Sequence, residues 1–577
     1  MIRRGKIILL VMILFGTCRI VPAQAPNEQG FEIVKNLDIF SNVMKELNTN
    51  YVDDIKPGEL SKTAIDAMLE SLDPYTNFIT ETEIEDYKFI TTGEYGGIGA
   101  LIHQNGEYVV ISEPYEGAPA QKNELRAWDI ILEINGQSAK GKSYSDVSAI
   151  LKGQSGTTIT LKIQRPGEDT PIIKTINREI IKIDNIPYSG MLEHDIGYIK
   201  LTSFTQKAAS EVKQAFMKLR EKTELKGIII DIRGNGGGLL NEAVDIVNLF
   251  VDRGQEVVTT KGKLPDKNHT YNTMSAPVDV NIPVVILVDG QSASASEILS
   301  GAIQDLDRGV VVGRRTFGKG LVQNVVPLSF NAQMKITVAK YYIPSGRCIQ
   351  AIDYSHKTKE GLFGKIPDSL IAAFKTKDGR TVYEGRGIKP DIHCDKVEYS
   401  NIAMALYTKY LIFDFATQFR REHSAILSAD KFEVTDTIFN EFLAFLSDKK
   451  YDYKTKSEEA LEDLRKDSEK EHYFNAIETE YEALKKQMEN DKKSDMTKFR
   501  SQISELIKQE IVSRYYYQRG KIVASLDTDK DIEEAVKTLT DQNLYKSVLA
   551  GTFKVPEESP SKKTGDDDSG DDDPVNH

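Results

Sequence analysis

Cysteine is scarce in this chain, with three in 577 residues. That is too few for a disulfide-built scaffold or a four-thiolate zinc site. Tryptophan occurs once, at position 128. No apolar run reaches the ~20 residues that a bilayer-spanning helix needs. A basic excess is also missing: Lys and Arg number 74 against 87 acids, a formal net charge of −13. A nucleic-acid-binding surface over the whole chain is therefore disfavoured. Forty Gly and 19 Pro are near average usage and exclude collagen-like or wholly disordered chains. What is present is ordinary for folded domains, 40% hydrophobic and 28% charged. At roughly 150 residues per domain, the length allows about three or four of them.

The first 25 residues read as an export leader. Met1 to Lys6 is a short basic stretch, Ile7 to Cys18 is apolar, and Ala23-Gln-Ala25 is a small-x-small cleavage site. An uncleaved anchor is the alternative. Cleavage removes Arg3, Arg4, Lys6 and Arg19, taking the net charge from −13 to about −17. It leaves Cys348 and Cys394, read as two ordinary cysteines. The expected product is exported and periplasmic or envelope-associated, with no stable membrane span. At the other end, residues 551–577 hold two Asp triplets and no apolar run, the composition of a disordered acidic tail.

Between these ends the chain changes character. Residues 26–95 read as helical, with Ile33, Leu37, Phe40, Val43 and Leu47 at helical spacing. Residues 190–345 alternate apolar strands with helices, the pattern of an α/β layer structure. After about 397 the chain is helical and highly charged. There Phe474, Ile477, Tyr481, Leu484 and Met488 form one seam, and Met496, Phe499, Ile503 and Leu506 another. Such seams fit a helical hairpin, a docking surface, or packing within their own domain.

The chemistry concentrates in two segments. Pro283 to Asp289 is a buried strand, Gly290-Gln291 a turn, and Ser292-Ala-Ser-Ala-Ser-Glu297 opens a helix. A serine at a strand-to-helix turn has free backbone N–H groups beside it, which suits a nucleophile with an oxyanion donor. It equally suits a helix N-cap. No Gly-x-Ser-x-Gly elbow surrounds it, and the eight histidines show no local arrangement with an acid. The better base is Lys319 in Thr316-Phe-Gly-Lys-Gly320. To accept a proton, a lysine must lose about 3 units from its reference value near 10.4, through burial among apolar neighbours such as Phe317, Leu321 and Val322. Gln323 can hold the amine without adding a negative charge. Gly313 to Lys319 begins like a phosphate-binding loop, but Gly320 stands where a Mg²⁺-binding hydroxyl belongs. Gly234-Asn-Gly-Gly-Gly238 likewise falls short of a dinucleotide fingerprint at Leu239.

Taken in order, Asp231 to Gly238, Ser292 to Ile298, Thr316 to Gln323, Ile343-Pro-Ser-Gly-Arg347 and Gly385 to Asp391, with Leu72-Asp-Pro-Tyr-Thr76 near the start, resemble the carboxyl-terminal processing (tail-specific) proteases of serine–lysine type. The resemblance covers roughly residues 35–395. It implies Ser294 as nucleophile, Lys319 as general base and Gln323 as its orienting partner. It further implies an oxyanion hole from the backbone N–H groups of Ala295 and one glycine of Gly236–Gly238, assigned to Gly237. Asp305, Arg233 and Arg308 are assigned to structural pairing. The reaction it implies is acyl transfer with no metal or cofactor.

Residues 96–166 resemble a PDZ domain. Gly97-Ile-Gly-Ala100 matches its carboxylate-binding turn, so Gly97, Ile98, Gly99 and Ala100 are the expected peptide-binding residues. Where the domain usually reads Gly-Leu-x-x-Gly-Asp, this chain has Glu124-Leu-Arg-Ala-Trp-Asp129. Trp128 is expected either to cover a groove or to pack on a neighbouring domain. The implied fold is α/β (α+β multidomain): a crotonase-like layered protease core at 167–396 with an inserted mostly-β PDZ domain, a helical region at 26–95 and a helical domain at 397–550. Implied substrates are unfolded or tail-exposed exported proteins. An adaptor, or self-association through the C-terminal helices, is the further implied partner. The alternative reading is a noncatalytic PDZ-type peptide-binding scaffold or chaperone.

Overall fold

The computed structural model describes residues 28–357 and 362–553. The expected leader and nearly all of the acidic tail therefore lie outside the described residues. The described residues fall into two compact units that divide between positions 78 and 79. In the first, helices Glu28–Asn50 and Pro57–Glu70 follow one another. Pro57 begins the second helix, where a missing N–H leaves no bond unmade. The Leu72–Thr76 motif is a turn closed by Asp73, whose carboxylate accepts the N–H groups of Tyr75 and Thr76 at 2.8 Å each.

The second unit is built around a six-stranded sheet. Its strands run in the order Tyr188–Leu192, Ile196–Lys200, Gly227–Asp231, Val284–Val288, Val310–Gly313 and Ile392–His393. The first pair is antiparallel and the others are parallel. Strands such as Val284–Val288 are buried along their whole length, so both faces need a cover. Helices Ala208–Arg220, Leu240–Phe250 and Ala295–Asp305 supply one, packing Phe216, Val247, Phe250 and Leu299 on Ile228, Ile230 and Ile286. The other face, with Tyr198, Ile229, Val285 and Val312, is covered by Ile532, Ala535, Leu539, Tyr545 and Val548. These sit on helices Lys530–Thr540 and Gln542–Leu549. The expected helical domain at 397–550 is thus divided: its last two helices are a layer of the core. Their apolar faces match the sheet, which a linear reading of helical character does not reveal.

A second, antiparallel sheet includes Leu321–Pro327 beside Gln333–Tyr342, then Glu256–Gly262 and His269–Asn272. The PDZ region is a separate sheet, Ala100–Asn105, Tyr108–Pro114, Ile130–Ile134, Thr158–Gln164 and Ile172–Asn177 in that order, with helix Tyr144–Leu151 against its apolar face.

Helices from Asn401 to Ser525 bury a core of their own that includes Phe415, Phe419, Phe442, Ile507 and Ile511. The second seam packs into it through Ile503, with Met496, Phe499 and Leu506 against its edge. On the first seam Tyr481 is buried, while Leu484 stays half exposed. No described helix is long and apolar enough to cross a membrane. Cys348 and Cys394 are both free thiols.

Trp128 packs on the helical domain. Its ring lies 5.9 Å from His103 and 5.4 Å from Phe413, and His103 stacks on Tyr410 at 4.2 Å. Both residues that replace PDZ glycines keep a left-handed backbone, Glu124 at φ 58° and Trp128 at φ 75°.

Candidate active site

The turn that follows strand Val284–Val288 is tied to the glycine loop after strand Gly227–Asp231. The Asp289 carboxylate accepts N–H groups from Gly234, Gln291 and Ser292 at 2.9–3.1 Å. Ser292 and Ser296 are fully buried. Their hydroxyls donate to the carbonyls of Ile232 and Asn235, each at 2.8 Å. Both are structural links between the two loops. Ser294, between them, lines a cavity of about 490 Å³. It precedes helix Ala295–Asp305 with φ 56° and ψ −113°, a conformation L-residues rarely adopt. The Ala295 N–H, first of the helix, has no acceptor among the described residues.

Lys319 and Gln323 line the same cavity. Lys319 ends the Thr316–Lys319 turn, which Gly318 makes at φ 90°. A side chain on Gly318 would begin 2.4 Å from the Ala351 Cβ. Gln323 reaches the cavity through a register shift between Val322 and Gln323. Such a bulge turns two consecutive residues of one strand to one side, and both line the cavity. The Gln323 Nε2 donates to Thr337 Oγ1 at 3.3 Å.

The two halves meet at Glu297, which sequence reasoning passed over. Its carboxylate accepts the Ser294 N–H at 2.9 Å and the Lys319 N–H at 2.8 Å on one oxygen. The other oxygen accepts the Gly318 N–H at 2.7 Å and the Thr316 hydroxyl at 2.6 Å. Burial pushes Glu297 up to about 7, against the pull of these four donors. The serine-to-glutamate spacing of three is a capping-box pattern and was the available signal. Tyr341, also unforeseen, is buried, and its hydroxyl lies within hydrogen-bonding distance of the Ser294 and Lys319 carbonyls.

The glycine run approaches the serine turn so closely that a Cβ on Gly237 would stand 2.6 Å from the Ala293 oxygen and 3.0 Å from the Ala295 nitrogen. Its φ is 104°. The Gly237 N–H, however, donates to Asn235 Oδ1 at 2.9 Å. In this structure the expected second oxyanion donor is engaged, because the fully buried Asn235 closes a local turn over it. The N–H groups of Gly236 and Gly238, in the same cavity wall, have no acceptor among the described residues.

Further out, Asp305 pairs with Arg347 at 2.7 Å. Arg233 joins Asp231 to Asp529 and Asp531 at 2.7–2.9 Å. Asp231 is fully buried, yet Lys200 and Arg233 outweigh burial and hold it below the usual carboxylate range. Arg308 is the exception to pairing: it donates to the carbonyls of Phe250 and Ile282.

In the PDZ turn, the carbonyl of Ile98 accepts the Ala120 N–H at 2.7 Å and that of Gly99 accepts the Tyr115 N–H at 3.0 Å. The amides of Ile98 and Gly99 have no acceptor among the described residues. Gly97 closes strand Glu94–Gly97, and Ala100 opens the next. Gly99 sits at φ 71°, where an added Cβ would meet Ala118 at 2.5 Å.

Residues 195–357 match Peptidase family S41, residues 110–165 a PDZ domain, and residues 402–539 the C-terminal helical domain described for probable PDZ-proteases. A carboxy-terminal-processing protease of Bartonella bacilliformis is 35% identical over 355 residues, covering 60% of this chain and 81% of that one. A probable CtpA-like serine protease of Staphylococcus aureus is 33% identical over 377 residues, covering 65% and 68%. Among solved structures, the photosystem II D1 C-terminal processing protease is 26% identical, with 62% of this chain and 92% of that one covered and a TM-score of 0.34. The chain belongs to peptidase family S41, as a serine peptidase of the carboxyl-terminal processing type that carries a PDZ domain.

Proposed function

We propose that this peptidase cuts exported proteins whose carboxyl-terminal tails are loose or unfolded, with Ser294 as nucleophile and Lys319 as general base. The observation that carries this reading is the shared cavity. Ser294, Lys319, Gln323 and the glycine run line one space, and a single carboxylate holds the backbones of Ser294 and Lys319. Ser294 Oγ attacks a peptide carbonyl and its proton passes to neutral Lys319 Nζ. The oxyanion meets the Ala295 N–H and an amide of the glycine run, with Gly237 serving once Asn235 releases it. The C–N bond breaks as the lysine returns its proton to the leaving amine. Water then opens the acyl-enzyme with the same base. Gln323 orients the amine.

Support for tail recognition comes from continuity of the chain. Gly93 lines the catalytic cavity, and Gly97 of the PDZ turn stands four residues further on. The unengaged amides of Ile98 and Gly99 suit a terminal carboxylate, and the free edge of a PDZ strand suits an extended peptide. Export is supported by the basic, apolar and small-residue order of positions 1–25. Association with an adaptor or another copy through the C-terminal helices belongs to the same reading.

The test is cleavage of an unfolded model protein by the mature chain beside Ser294→Ala and Lys319→Ala, all three matched for folding by circular dichroism. Both variants are expected to lose roughly a thousandfold or more in kcat/KM. Undiminished cleavage by Ser294→Ala would remove it as nucleophile. Tail-peptide binding without cleavage by any of the three would favour the noncatalytic scaffold.

A further inference from the structure

Two carboxylates tie the loops around the catalytic cavity in pairs. Asp289 holds the serine turn to the glycine loop, and Glu297 holds the serine turn to the Thr316–Lys319 turn. The remaining pair, glycine loop and lysine turn, is joined by Asp531, from the layer that covers the second face of the sheet. Its Oδ2 accepts Arg233 Nη1 at 2.9 Å and Arg314 Nη1 at 3.0 Å. Arg233 directly precedes Gly234 of the glycine loop, and Arg314 stands two residues before Thr316.

Local structure fixes where this carboxylate stands. Asp529 caps helix Lys530–Thr540, its Oδ1 accepting the N–H groups of Asp531 and Ile532 at 3.0 and 3.1 Å. Asp531 thus lies in the first helical turn, where an acid is favoured, and Ile532, Ala535 and Leu539 press the helix on the sheet. Its side chain is 5% exposed, so the attraction to the arginines is little screened. The surrounding charges balance: Asp231, Asp529 and Asp531 face Lys200, Arg233 and Arg314. The Cys394 thiol, which also bonds Asp531, adds no charge, because burial first, then the Asp531 carboxylate, pushes it up to about 12. The two arginines depend on Asp531 unequally. Arg233 also holds Asp231 and Asp529, whereas Arg314 has no other hydrogen-bonding side chain among the described residues.

We propose that Asp531 is a positioning residue for catalysis: with Asp289 and Glu297 it completes a ring of three carboxylates that sets the lysine turn against the glycine loop. The inference rests on the reading of Ser294 as nucleophile and Lys319 as base. Asp531 acts through Arg314 and Arg233 and touches neither substrate nor reacting atoms. A base and an oxyanion donor displaced against one another slow the chemical step and leave substrate binding nearly unchanged. The end of the helical region thereby belongs to the geometry of the catalytic site as well as to its core.

The test measures steady-state cleavage of an unfolded model protein by the full chain and its variants. Asp531→Asn and Arg314→Gln are each expected to lower kcat about tenfold, with KM within about twofold of wild type. The double variant should fall no more than about threefold below the worse single, since both changes break one link. Leu539→Ala, buried eight positions further along the same helix, controls for general loosening of the layer and should keep kcat within about twofold. Hydrogen exchange, which needs no turnover, should rise in 314–320 more than in 233–238 for Asp531→Asn, because Arg233 retains two carboxylates. Should Asp531→Asn not fold, Arg314→Gln, whose side chain is 26% exposed, decides alone. Wild-type kcat in Arg314→Gln, an equal loss of kcat in Leu539→Ala, or unchanged exchange in 314–320 would overturn the proposal. Undiminished cleavage by Ser294→Ala would remove the nucleophile reading, and the exchange pattern would still judge the tie between the loops by itself.

Discussion

Ser294, Glu124 and Trp128 all hold backbone conformations that glycine normally takes, at φ 56°, 58° and 75°. At Ser294 the surrounding bonds impose the conformation, because its N–H is drawn to Glu297 while Gly237 closes over the turn from behind. Glu297 is the residue on which serine and lysine depend together. Glu297→Gln keeps the shape but turns one acceptor oxygen into a donor facing N–H groups. It is expected to lower kcat about tenfold to a hundredfold with little change in KM, as misplacement of two reacting groups does. The pH dependence of stability is a second readout. Glu297 is raised by burial to about 7, so its favourable contribution is complete below its ordinary value and lost as pH climbs through 7. Denaturant unfolding at pH 5 and pH 8 should show the wild type losing up to about 3 kcal/mol relative to the variant. A pH-independent difference would contradict this. Ser294 and Lys319 were legible in the sequence because strand, turn and helix signals bracket them. Which of three serines faces the cavity was not legible from local pattern, since Ser292 and Ser296 share its neighbours. Only the family resemblance separated them; in the structure Ser294 lines the cavity while Ser292 and Ser296 are buried. The Asn235 bond to Gly237 was beyond reach, because nothing in Gly234-Asn-Gly-Gly-Gly238 says which amide the side chain will take.

The contact between the PDZ sheet and helix Leu411–Glu422 is where two elements settle a departure from the family pattern. Trp128 accepts a strained backbone, worth about 1–2 kcal/mol, and gains ring contacts with His103 and Phe413. Trp128→Gly is therefore expected to leave the PDZ domain as stable as before, or more so by about 1 kcal/mol, while loosening its contact with the helices. Hydrogen exchange should rise in both 98–112 and 411–422, and protection unchanged in both would refute the contact's role. His103 adds an acid sensitivity. Its Nδ1 meets Ser112 Oγ at 2.6 Å, and its Nε2 is buried with no hydrogen-bond partner among the described residues. Burial first, then the Arg514 charge, lowers it to about 4, with Glu510 opposing. Stability from a lowered histidine is present above its ordinary value near 6.5 and lost as pH falls towards 4. The same exchange should accordingly rise between pH 6.5 and 4 in the wild type and not in His103→Gln. Sequence alone could name Trp128 as anomalous but not choose its partner. His103, Tyr410 and Phe413 come from distant stretches with no shared pattern.

At the scale of the whole molecule, the protease sheet is completed by the end of the chain. Leu539 and Tyr545 lie buried on its second face, and the Tyr545 hydroxyl takes the Val284 N–H at 3.0 Å. Arg233 and Arg314 both bind Asp531, fastening that layer beside the glycine loop. Leu539→Ala should cost about 2–4 kcal/mol and lower the unfolding midpoint of the catalytic core itself. A loss confined to the helices of 401–525 would contradict the layer assignment. The order of layers was only half visible beforehand: alternating strands and helices announced the sheet and one cover, while the other cover follows the separate helical domain of residues 401–525. The central claim remains the pairing of Ser294 with Lys319 across Glu297. A fluorophosphonate probe with peptide mapping by mass spectrometry tests it most directly. The account predicts a single adduct on Ser294 that forms at wild-type rate in neither Lys319→Ala nor Glu297→Gln. An adduct on Ser292 or Ser296, or undiminished labelling of Ser294 in Lys319→Ala, would contradict it.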